Sequence, residues 1–350
     1  MAPTLLHAAR PALVMGALLG VAAMAFASYS AVPGERGPAL LALGSDAACA
    51  GYSGLPQGFG RERHAGMAWV EGGTFVFGSE RGYADERPAD AARTRVGGFW
   101  MDQTEVTVAQ FDAFVRATGY VSDAERQGGA VVFVQPKDEE PNKDEPGRGA
   151  LSWWRFVKGA DWRHPAGPGS SAQANLPVTQ VTQADALAYA QWLGRDLPTE
   201  AEWEYAGKAG QEGEALDTAP RDPQGKPAAN YWQGAFPLVD AGADGHKGIA
   251  PVACYGANAF KLYDMIGNTW EWTRDPYTGP RQSHANGDTS VALAENERRS
   301  RASNVPTVIK GGSYLCSPDY CVRYRASARE AQEADLGTAH IGFRTVLRNG

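Results

Sequence analysis

Cysteine is scarce in this sequence, with 4 among 350 residues. The cysteines stand at positions 49, 254, 316 and 321, and only Cys316 and Cys321 are near each other along the chain. Small secreted domains that depend on a disulfide framework carry a far denser set. The sequence therefore excludes such a framework as the main source of stability.

Basic runs and histidine clusters are also missing. The formal net charge is -7 and no stripe of Lys and Arg is present, so we expect no nucleic-acid partner. No two of the 6 histidines share metal-ligand spacing, which argues against a histidine-based iron or zinc centre. The chain also lacks a G-x-S-x-G elbow, a Walker loop and an H-E-x-x-H helix, and this excludes the enzyme classes built on them.

One long apolar run is present, residues 11–27, and it follows His7 and Arg10. A basic start, an apolar centre and a small-residue exit at Ala25–Ala27 are typical of an export signal. We assign residues 1–30 to a signal peptide or, without cleavage, to an N-terminal membrane anchor. The protein is expected to be exported, periplasmic or secreted, with the uncleaved run as an alternative attachment to the membrane.

The rest of the chain divides into a linker and one folded domain. Residues 31–66 are rich in Gly, Ala and Pro and predict a flexible linker, and residues 67–350 predict the domain. The 42 glycines, 22 prolines and 10 tryptophans favour a loop-rich fold in which aromatic residues anchor long connections. They do not favour a helical bundle.

Three helices are predicted by their capping residues. Each begins at a threonine with a polar partner three residues later, and each ends near a glycine. The pairs are Thr107 with Gln110, Thr182 with Asp185, and Thr199 with Glu202. Residues 67–79, which include a Gly-Gly pair, predict a hairpin or two short strands.

Residues 311–327, GGSYLCSPDYCVRYRAS, carry the most distinctive chemistry. The Pro-Asp dipeptide favours a turn, so Cys316 and Cys321 are expected to face one another. A structural disulfide across so short a loop would add little stability. Two thiolates with no histidine or third cysteine nearby match Cu(I) better than zinc.

A redox or nucleophilic cysteine is a third interpretation of the same pair. Three arginines follow in the sequence and would lower a thiol pKa if they approach it in space. They are Arg323, Arg325 and Arg329. On these residues alone, the structural, metal-binding and redox interpretations all stay open.

Two irregular loops carry carboxylates beside glycines. Residues 262–272, LYDMIGNTWEW, contain Asp264 and Glu271, and residues 230–246 form a similar Asp- and Gly-containing stretch. Such loops can bind a hard cation such as Ca²⁺. They can equally be turns whose tryptophans anchor the core, and the residues alone do not separate these interpretations.

The order of motifs resembles the formylglycine-generating enzymes, or sulfatase-modifying factors, from about Met67 to Arg348. LPTEAEWEYA, GNTWEW and GFR are shared with a wider superfamily, whereas VKGADWRHPAGP and GGSYLCSPDYCVRYR are more specific. The resemblance implies a C-type-lectin-like formylglycine-generating-enzyme fold for residues 67–350. This fold is of the α+β class and low in regular secondary structure.

The resemblance also implies an O₂-dependent oxidoreductase. Its substrate would be an unfolded sulfatase polypeptide, whose cysteine in a C-x-P-x-R sequence becomes Cα-formylglycine while a thiol reductant is consumed. In the family two cysteines hold Cu(I), which here implies Cys316 and Cys321, with Cys321 also engaging the substrate thiol. Ser313 would line the oxygen pocket.

Further site residues follow from the same matching. Trp270 and Arg329 would lie beside the site, and Glu105 in the substrate groove. Structural calcium would be held at two sites, the first formed by Asn230, Tyr231, Asp244 and His246, the second by Asp264, Gly267, Thr269 and Glu271. Tyr231 and His246 would contribute backbone carbonyls.

The chain departs from the family at several positions. Ala190, Gly207, Ala326 and Thr345 stand where the animal enzymes carry two disulfides, and Gly129 and Ala130 replace a polar pair near the substrate. Two alternative functions remain: a thiol-dependent oxidase of this fold with a different substrate, and a non-catalytic lectin-like binding module. Retention of both cysteines argues against the binding module.

Overall fold

The structure, a computed structural model, describes residues 43–89, 93–136, 153–213, 219–281 and 305–348. The chain from Leu41 onward forms one compact unit. The predicted signal or anchor, residues 1–30 with the apolar run 11–27, lies outside the described residues, as does the linker up to residue 42. None of the helices in the described ranges is long and apolar enough to cross a membrane.

Regular elements are short, as the α+β prediction requires. Within the described ranges, the longest helix has 11 residues and the longest strand 7, and loops connect them. The helices are α1 (Asp46–Gly51), α2 (Val108–Thr118), α3 (Asp123–Gln127), α4 (Gln183–Trp192) and α5 (Glu200–Lys208). The strands are β1 (Met67–Val70), β2 (Gly73–Val76), β3 (Arg93–Val96), β4 (Phe99–Asp102), β5 (Gly129–Phe133), β6 (Trp154–Lys158), β7 (Trp270–Pro276), β8 (Thr307–Lys310), β9 (Arg329–Gln332), β10 (Ile341–Gly342) and β11 (Val346–Arg348).

Local capping chemistry confirms the three predicted helices. The hydroxyl of each N-cap threonine accepts a hydrogen bond from the N–H of the third helical residue, and the side-chain oxygen of that residue accepts one from the backbone N–H of the cap. Helix α2 ends at Gly119, which has the left-handed φ of 69° that glycine favours. Helix α5 differs from the prediction because Ala209, not a glycine, takes the left-handed C-cap position.

The strands form two larger sheets and two isolated pairs. The order β1-β4-β11 makes a three-stranded sheet, and β10-β7-β8-β9 makes a four-stranded one. β2 pairs with β3, and β5 pairs with β6, both antiparallel. The strands on either side of the Gly-Gly pair are therefore two separate strands, and β1 and β2 pair with different partners.

The predicted linker is wrong where the structure describes it, over residues 43–66. Helix α1 lies within this segment, and Ala48 and Ala65 are buried. A disulfide joins Cys49 to Cys254 across 205 residues of sequence, and the N–H of Gly44 donates to the carbonyl of Ala253 at 3.0 Å. The glycine-rich composition predicted a linker because the disulfide and the hydrogen bond join residues far apart in sequence. Such contacts produce no recognisable pattern in the neighbouring residues.

Buried aromatic side chains fill the core, as the tryptophan content predicted. The larger apolar cluster lies between α2, α4, β7 and the C-terminal strands, and it includes Trp162, Trp272 and Phe343. Cys316 belongs to the same cluster. The segment that carries the two free cysteines is therefore built directly onto the core.

Candidate active site

Two glycines direct the chain from β8 into the cysteine-containing loop. Gly311 and Gly312 have φ values of 95° and 81°, and a Cβ on Gly312 would overlap the backbone of Arg323. Only glycine allows this close approach. The loop then closes on itself because the N–H of Ser317 donates to the carbonyl of Cys321 at 3.0 Å.

This turn brings Cys316 and Cys321 face to face. Their Sγ atoms are 3.4 Å apart and both cysteines are free. Cys316 is 1% exposed, whereas Cys321 is partly exposed. The N–H of Ser313 donates to Sγ of Cys316 at 3.4 Å, so Ser313 contacts the buried thiol through its backbone.

The two sulfurs differ in how readily each loses its proton. Burial raises the pKa of Cys316 well above its usual range, and the neighbouring Cys321 adds to this effect. The hydrogen bond from the Cys316 thiol lowers the pKa of Cys321, and the positive charge of Arg323 acts in the same direction. The partly exposed sulfur of Cys321 thus loses its proton more readily than that of Cys316, and the thiolate is the form that attacks and that binds soft metals.

The three neighbouring arginines do not act alike. Arg323 contributes to the low pKa of Cys321, but Arg325 forms a buried ion pair with Glu86. Arg329 is buried, and its Nε lies 2.9 Å from Glu200. Arg329, which was expected beside the site, thus pairs its guanidinium with an internal carboxylate.

Trp270 and Glu105 are also buried. Trp270 is 3% exposed and packs in the same apolar cluster as Cys316, so it can support the cysteine loop from inside. Glu105 is 0% exposed and accepts a hydrogen bond from Nδ2 of Asn268 at 3.0 Å. A position in a substrate groove is therefore wrong for Glu105, since no peptide reaches it.

An aromatic surface next to Cys321 went unrecognised in the sequence. Tyr320 is 49% exposed and stacks on Phe236 with ring centroids 4.5 Å apart. The aromatic cluster, as we call it, comprises Phe133, Trp153, Trp154, Trp232, Phe236 and Tyr320, linked by ring contacts. Its only sequence signal was the number of aromatic residues, because its members come from four separate segments.

Tyr231, Asp244 and His246 come together around one glutamine, whereas Nδ2 of Asn230 donates to the carbonyl of Gly248 and to Oδ1 of Asn268. The side-chain amide of Gln233 donates to the carbonyl of Tyr231 and to Oδ2 of Asp244. The backbone N–H of His246 donates to Oδ1 of Asp244 at 2.9 Å. Asp244 is 4% exposed and has no ion-pair partner in the described part of the chain. A buried carboxylate without a cation fits a metal site.

The second predicted set, Asp264, Gly267, Thr269 and Glu271, is also assembled, and Glu105 joins it. Three buried carboxylates, Glu105, Asp264 and Glu271, face one guanidinium, that of Arg344, which pairs with both oxygens of Glu271 at 2.7 Å. Oε2 of Glu105 and Oδ1 of Asp264 have no hydrogen-bond partner. When all three carboxyls are ionised, the one guanidinium leaves two negative charges uncompensated, and a divalent cation would balance them.

Burial and mutual repulsion alter the protonation of this set. Burial, followed by the charges of Asp264 and Glu271, raises the pKa of Glu105 well above its usual range. Burial likewise raises the pKa of Asp264 from 3.8 to about 6. Without a bound cation, these two carboxyls therefore keep their protons to a higher pH than free carboxyls do.

Both loops that carry these carboxylates hold the cysteine loop. The N–H of Gly267 donates to the carbonyl of Gly311 at 3.0 Å, and that of Tyr314 to the carbonyl of Asn268 at 2.9 Å. The N–H of Trp232 donates to the carbonyl of Cys316 at 2.9 Å. These backbone hydrogen bonds mean that the position of the cysteine loop depends on the conformation of the two acidic loops.

Small or polar residues occupy the four positions at which the animal enzymes carry disulfide cysteines. These are Ala190, Gly207, Ala326 and Thr345. A Cβ added to Gly207 would lie 3.3 Å from Cβ of Ala326, so these two positions do face each other. At the other pair, Thr345 donates to Asp102 through both its N–H and its hydroxyl.

Gly129 lies in β5, where a Cβ would press against the ring of Phe156 at 2.8 Å.

Comparisons with known proteins agree with this geometry. The family model for the sulfatase-modifying factor enzyme 1-like domain matches residues 52–349. A formylglycine-generating enzyme of Mus musculus is 37% identical over 336 residues, which cover 93% of this chain and 87% of that protein. One of Mycobacterium tuberculosis is 41% identical over 297 residues, which cover 79% of this chain and 96% of that protein.

A solved structure, that of PvdO from Pseudomonas aeruginosa, shares the fold. Its TM-score is 0.52 at 21% identity, and the match covers 80% of this chain and 93% of that one. At this identity the likeness concerns the fold alone. It confirms the α+β, lectin-like architecture of the formylglycine-generating-enzyme type.

Proposed function

This chain belongs to the sulfatase-modifying factor enzyme 1-like family, and we propose that it is a formylglycine-generating oxidase that activates sulfatases. The observation that carries the proposal is the pair of free thiols, Cys316 and Cys321, 3.4 Å apart with one buried and one partly exposed. A binding module would have no use for such a pair. The substrate would be the cysteine of a C-x-P-x-R sequence in an unfolded sulfatase.

The donor set suits Cu(I). Two thiols face each other with no histidine or third cysteine between them, and soft thiolate ligands select Cu(I). Cys316 and Cys321 would hold the ion, which when bound supplies the redox chemistry that O₂ needs to react with a cysteine. The protein contributes the buried, fixed Cys316 and the accessible Cys321, which can exchange contacts with an incoming substrate thiol.

The proposed reaction balances with a thiol reductant. The substrate CH₂–SH group loses two electrons and its sulfur to become an aldehyde, and H₂S leaves. Two reductant thiols supply the other two electrons and form a disulfide. O₂ accepts all four electrons, one oxygen atom enters the aldehyde, and the other leaves as water.

The aromatic cluster supports recognition of an unfolded peptide. Tyr320 and Phe236 form a stacked, accessible platform beside Cys321, and proline rings pack well on aromatic faces. Leu238 and Val239 are 51% and 56% exposed, which extends the apolar surface next to Phe236. A folded sulfatase could not present its cysteine to such a surface, so the substrate would be modified before it folds.

Calcium is the second proposed metal, with a structural role. It would bind the set of Asn230, Tyr231, Asp244 and His246 and the set of Asp264, Gly267, Thr269 and Glu271, with Glu105 added to the second. The uncompensated buried carboxylates support this, because hard oxygen ligands suit Ca²⁺. Removal of calcium by a chelator should then lower the melting temperature of the protein.

Export is the proposed location. The disulfide between Cys49 and Cys254 supports an oxidising compartment, since such bonds persist outside the reducing cytosol. The peptide substrate would be met there or during its own export. If the N-terminal segment is not cleaved, residues 11–27 would attach the protein to the membrane.

Mass spectrometry of a peptide substrate tests the proposed function. A peptide with the C-x-P-x-R sequence is incubated with Cu(I)-loaded protein, O₂ and a thiol reductant. The expected product carries an aldehyde that reacts with a hydrazine probe, and a peptide with Ser in place of Cys stays unchanged. An unmodified cysteine peptide under all metal loadings would contradict the assignment.

A further inference from the structure

A histidine side chain lies against the disulfide between Cys49 and Cys254. Nε2 of His246 is 3.9 Å from Sγ of Cys49, and Nε2 and both sulfurs all lie within 4.8 Å of one another. The three residues come from three separate segments of the chain. Only the fold brings them together, and the proposed oxidase chemistry makes no use of their side chains.

This group of three side chains borders open space. A groove of about 480 Å³ is lined by Cys49 and His246 together with Gln173, Asn175 and neighbouring residues. All three side chains are partly exposed. Within the described part of the chain, the ring nitrogen that faces the sulfur has no other hydrogen-bond partner. Solvent, small reductants and metal ions can therefore reach the sulfurs.

We propose that Cys49, Cys254 and His246 form a zinc site when their disulfide is reduced. Two thiolates and one neutral imidazole are ligands that Zn²⁺ prefers. Three protein ligands leave a fourth tetrahedral position, and the groove gives a water molecule room to fill it. In the oxidised protein the sulfurs are bonded to each other and offer no thiolate, so the ion binds only after reduction.

Reduction and zinc binding both balance chemically. A dithiol reductant gives two electrons and two protons to the Cys49–Cys254 bond, which breaks into two thiols, and the dithiol closes to its own disulfide. Zinc binding then releases the two thiol protons to solvent. His246 contributes the lone pair of Nε2, and its ring proton stays on Nδ1.

Non-covalent bonds keep the ligands together after the disulfide opens. The N–H of Gly44 donates to the carbonyl of Ala253 at 3.0 Å, and Nδ2 of Asn175 donates to the carbonyl of Cys49 at 3.4 Å. The zinc ion would then replace the covalent tie between α1 and the segment around Cys254. Because the N–H of Ala253 donates to Oδ2 of Asp264 at 2.5 Å, this tie also steadies the second acidic set.

The test uses the full chain with C316S and C321S, so that Cys49 and Cys254 are its only cysteines. The protein is reduced with a phosphine, which does not chelate zinc as dithiols do, and is desalted without oxygen. Zn²⁺ is titrated against a chromophoric chelator, and Co²⁺ is used to detect thiolate charge-transfer absorption. We expect one equivalent of Zn²⁺ in the reduced protein, none in the oxidised protein, and release on reoxidation.

Two histidine variants separate ligand loss from general effects. H246Q leaves both cysteines and the non-covalent bonds around them in place, and should weaken zinc binding at least about tenfold, since even outer-shell partners of a metal contribute that much. H164Q removes a histidine elsewhere and should bind as tightly as its parent. No uptake after reduction, equal uptake before reduction, uptake of Cu(I) alone, or unchanged affinity in H246Q would each overturn the proposal. The cysteines of the proposed oxidase are absent from this protein, so the result does not depend on that function.

Discussion

The sulfur atoms of Cys316 and Cys321 lie 3.4 Å apart, but only that of Cys321 is accessible to a partner. Cys316 belongs to the apolar core, and the backbone N–H of Ser313 donates to its sulfur. The pair therefore combines one fixed thiol with one that can meet an incoming substrate. This asymmetry comes from the turn between them, which sends one side chain inward and the other outward.

Replacement of either cysteine by serine should abolish aldehyde formation, because a hydroxyl is too hard a ligand to hold Cu(I). Product mass spectrometry on the C-x-P-x-R peptide measures the effect. Melting curves should stay close to that of the parent protein. Ser53→Ala, an exposed change outside the site, is the matched control and should keep full activity, and an active C316S or C321S would contradict the copper assignment.

Alkylation should modify Cys321 before Cys316. Each unit of pKa difference changes the thiolate population by about tenfold, and burial hinders the attack on Cys316 as well. Timed iodoacetamide treatment of the metal-free protein, followed by peptide mapping, gives the order. Equal rates at the two positions would show that the exposed sulfur is not the thiolate.

Removal of one aromatic platform ring should weaken peptide binding. Tyr320→Ala loses the stack with Phe236 and should lower kcat/KM roughly tenfold, mainly through KM, because an aromatic contact and its burial together are worth about that much. Val121→Ala removes an exposed side chain elsewhere, 48% exposed, and serves as the control. An effect on kcat alone would point to a role in chemistry and not in binding.

The metal-free protein should lose stability as pH rises from about 4 to about 6. The pKa of Asp264 is raised from 3.8 to about 6, so the unfolded chain ionises first, and the folded state loses roughly 3 kcal/mol by the end of that interval. Urea denaturation in chelator measures this loss. Asp264→Asn should make the slope shallower, because Glu105 alone then contributes to it, and saturating calcium should reverse it in the parent. Parallel stability curves for parent and variant would exclude a raised pKa at Asp264.

Loss of a carboxylate should lower the free energy of unfolding far more in the buried charge network around Glu204 than in an exposed ion pair. Glu204 is fully buried and lies 2.6 to 2.9 Å from Arg281, Lys310 and Lys208. Glu204→Gln leaves buried cations without their partner and should cost about 3–5 kcal/mol of unfolding free energy. Glu212→Gln breaks an exposed pair with Arg93 and should cost less than about 1 kcal/mol. Urea denaturation compares the two, and equal losses would mean that Glu204 is not a structural centre.

Local features were predicted well. The capping residues Thr107, Thr182 and Thr199 opened helices as expected, because a cap depends on residues three positions apart. The turn that joins Cys316 to Cys321 depends on an equally short span.

Long-range features were not predictable from the residues alone. Cys49 and Cys254 are 205 residues apart, and nothing near either cysteine marks the other as its partner. Glu105 was expected at a surface, because a charged residue before a helix carries no sign of burial. Its burial is tolerated only where Asn268 donates to it and a cation can balance it.

The sequence by itself determined the class of fold, three helices and the two thiols, since each depends on short-range spacing or on whole motifs. Only the tertiary structure decided which cysteines pair, which arginine reaches Cys321, and which carboxylates share the buried acidic set. Charge and burial act through space, over distances that are set when remote segments pack together. The spacing of residues along the chain does not record those distances.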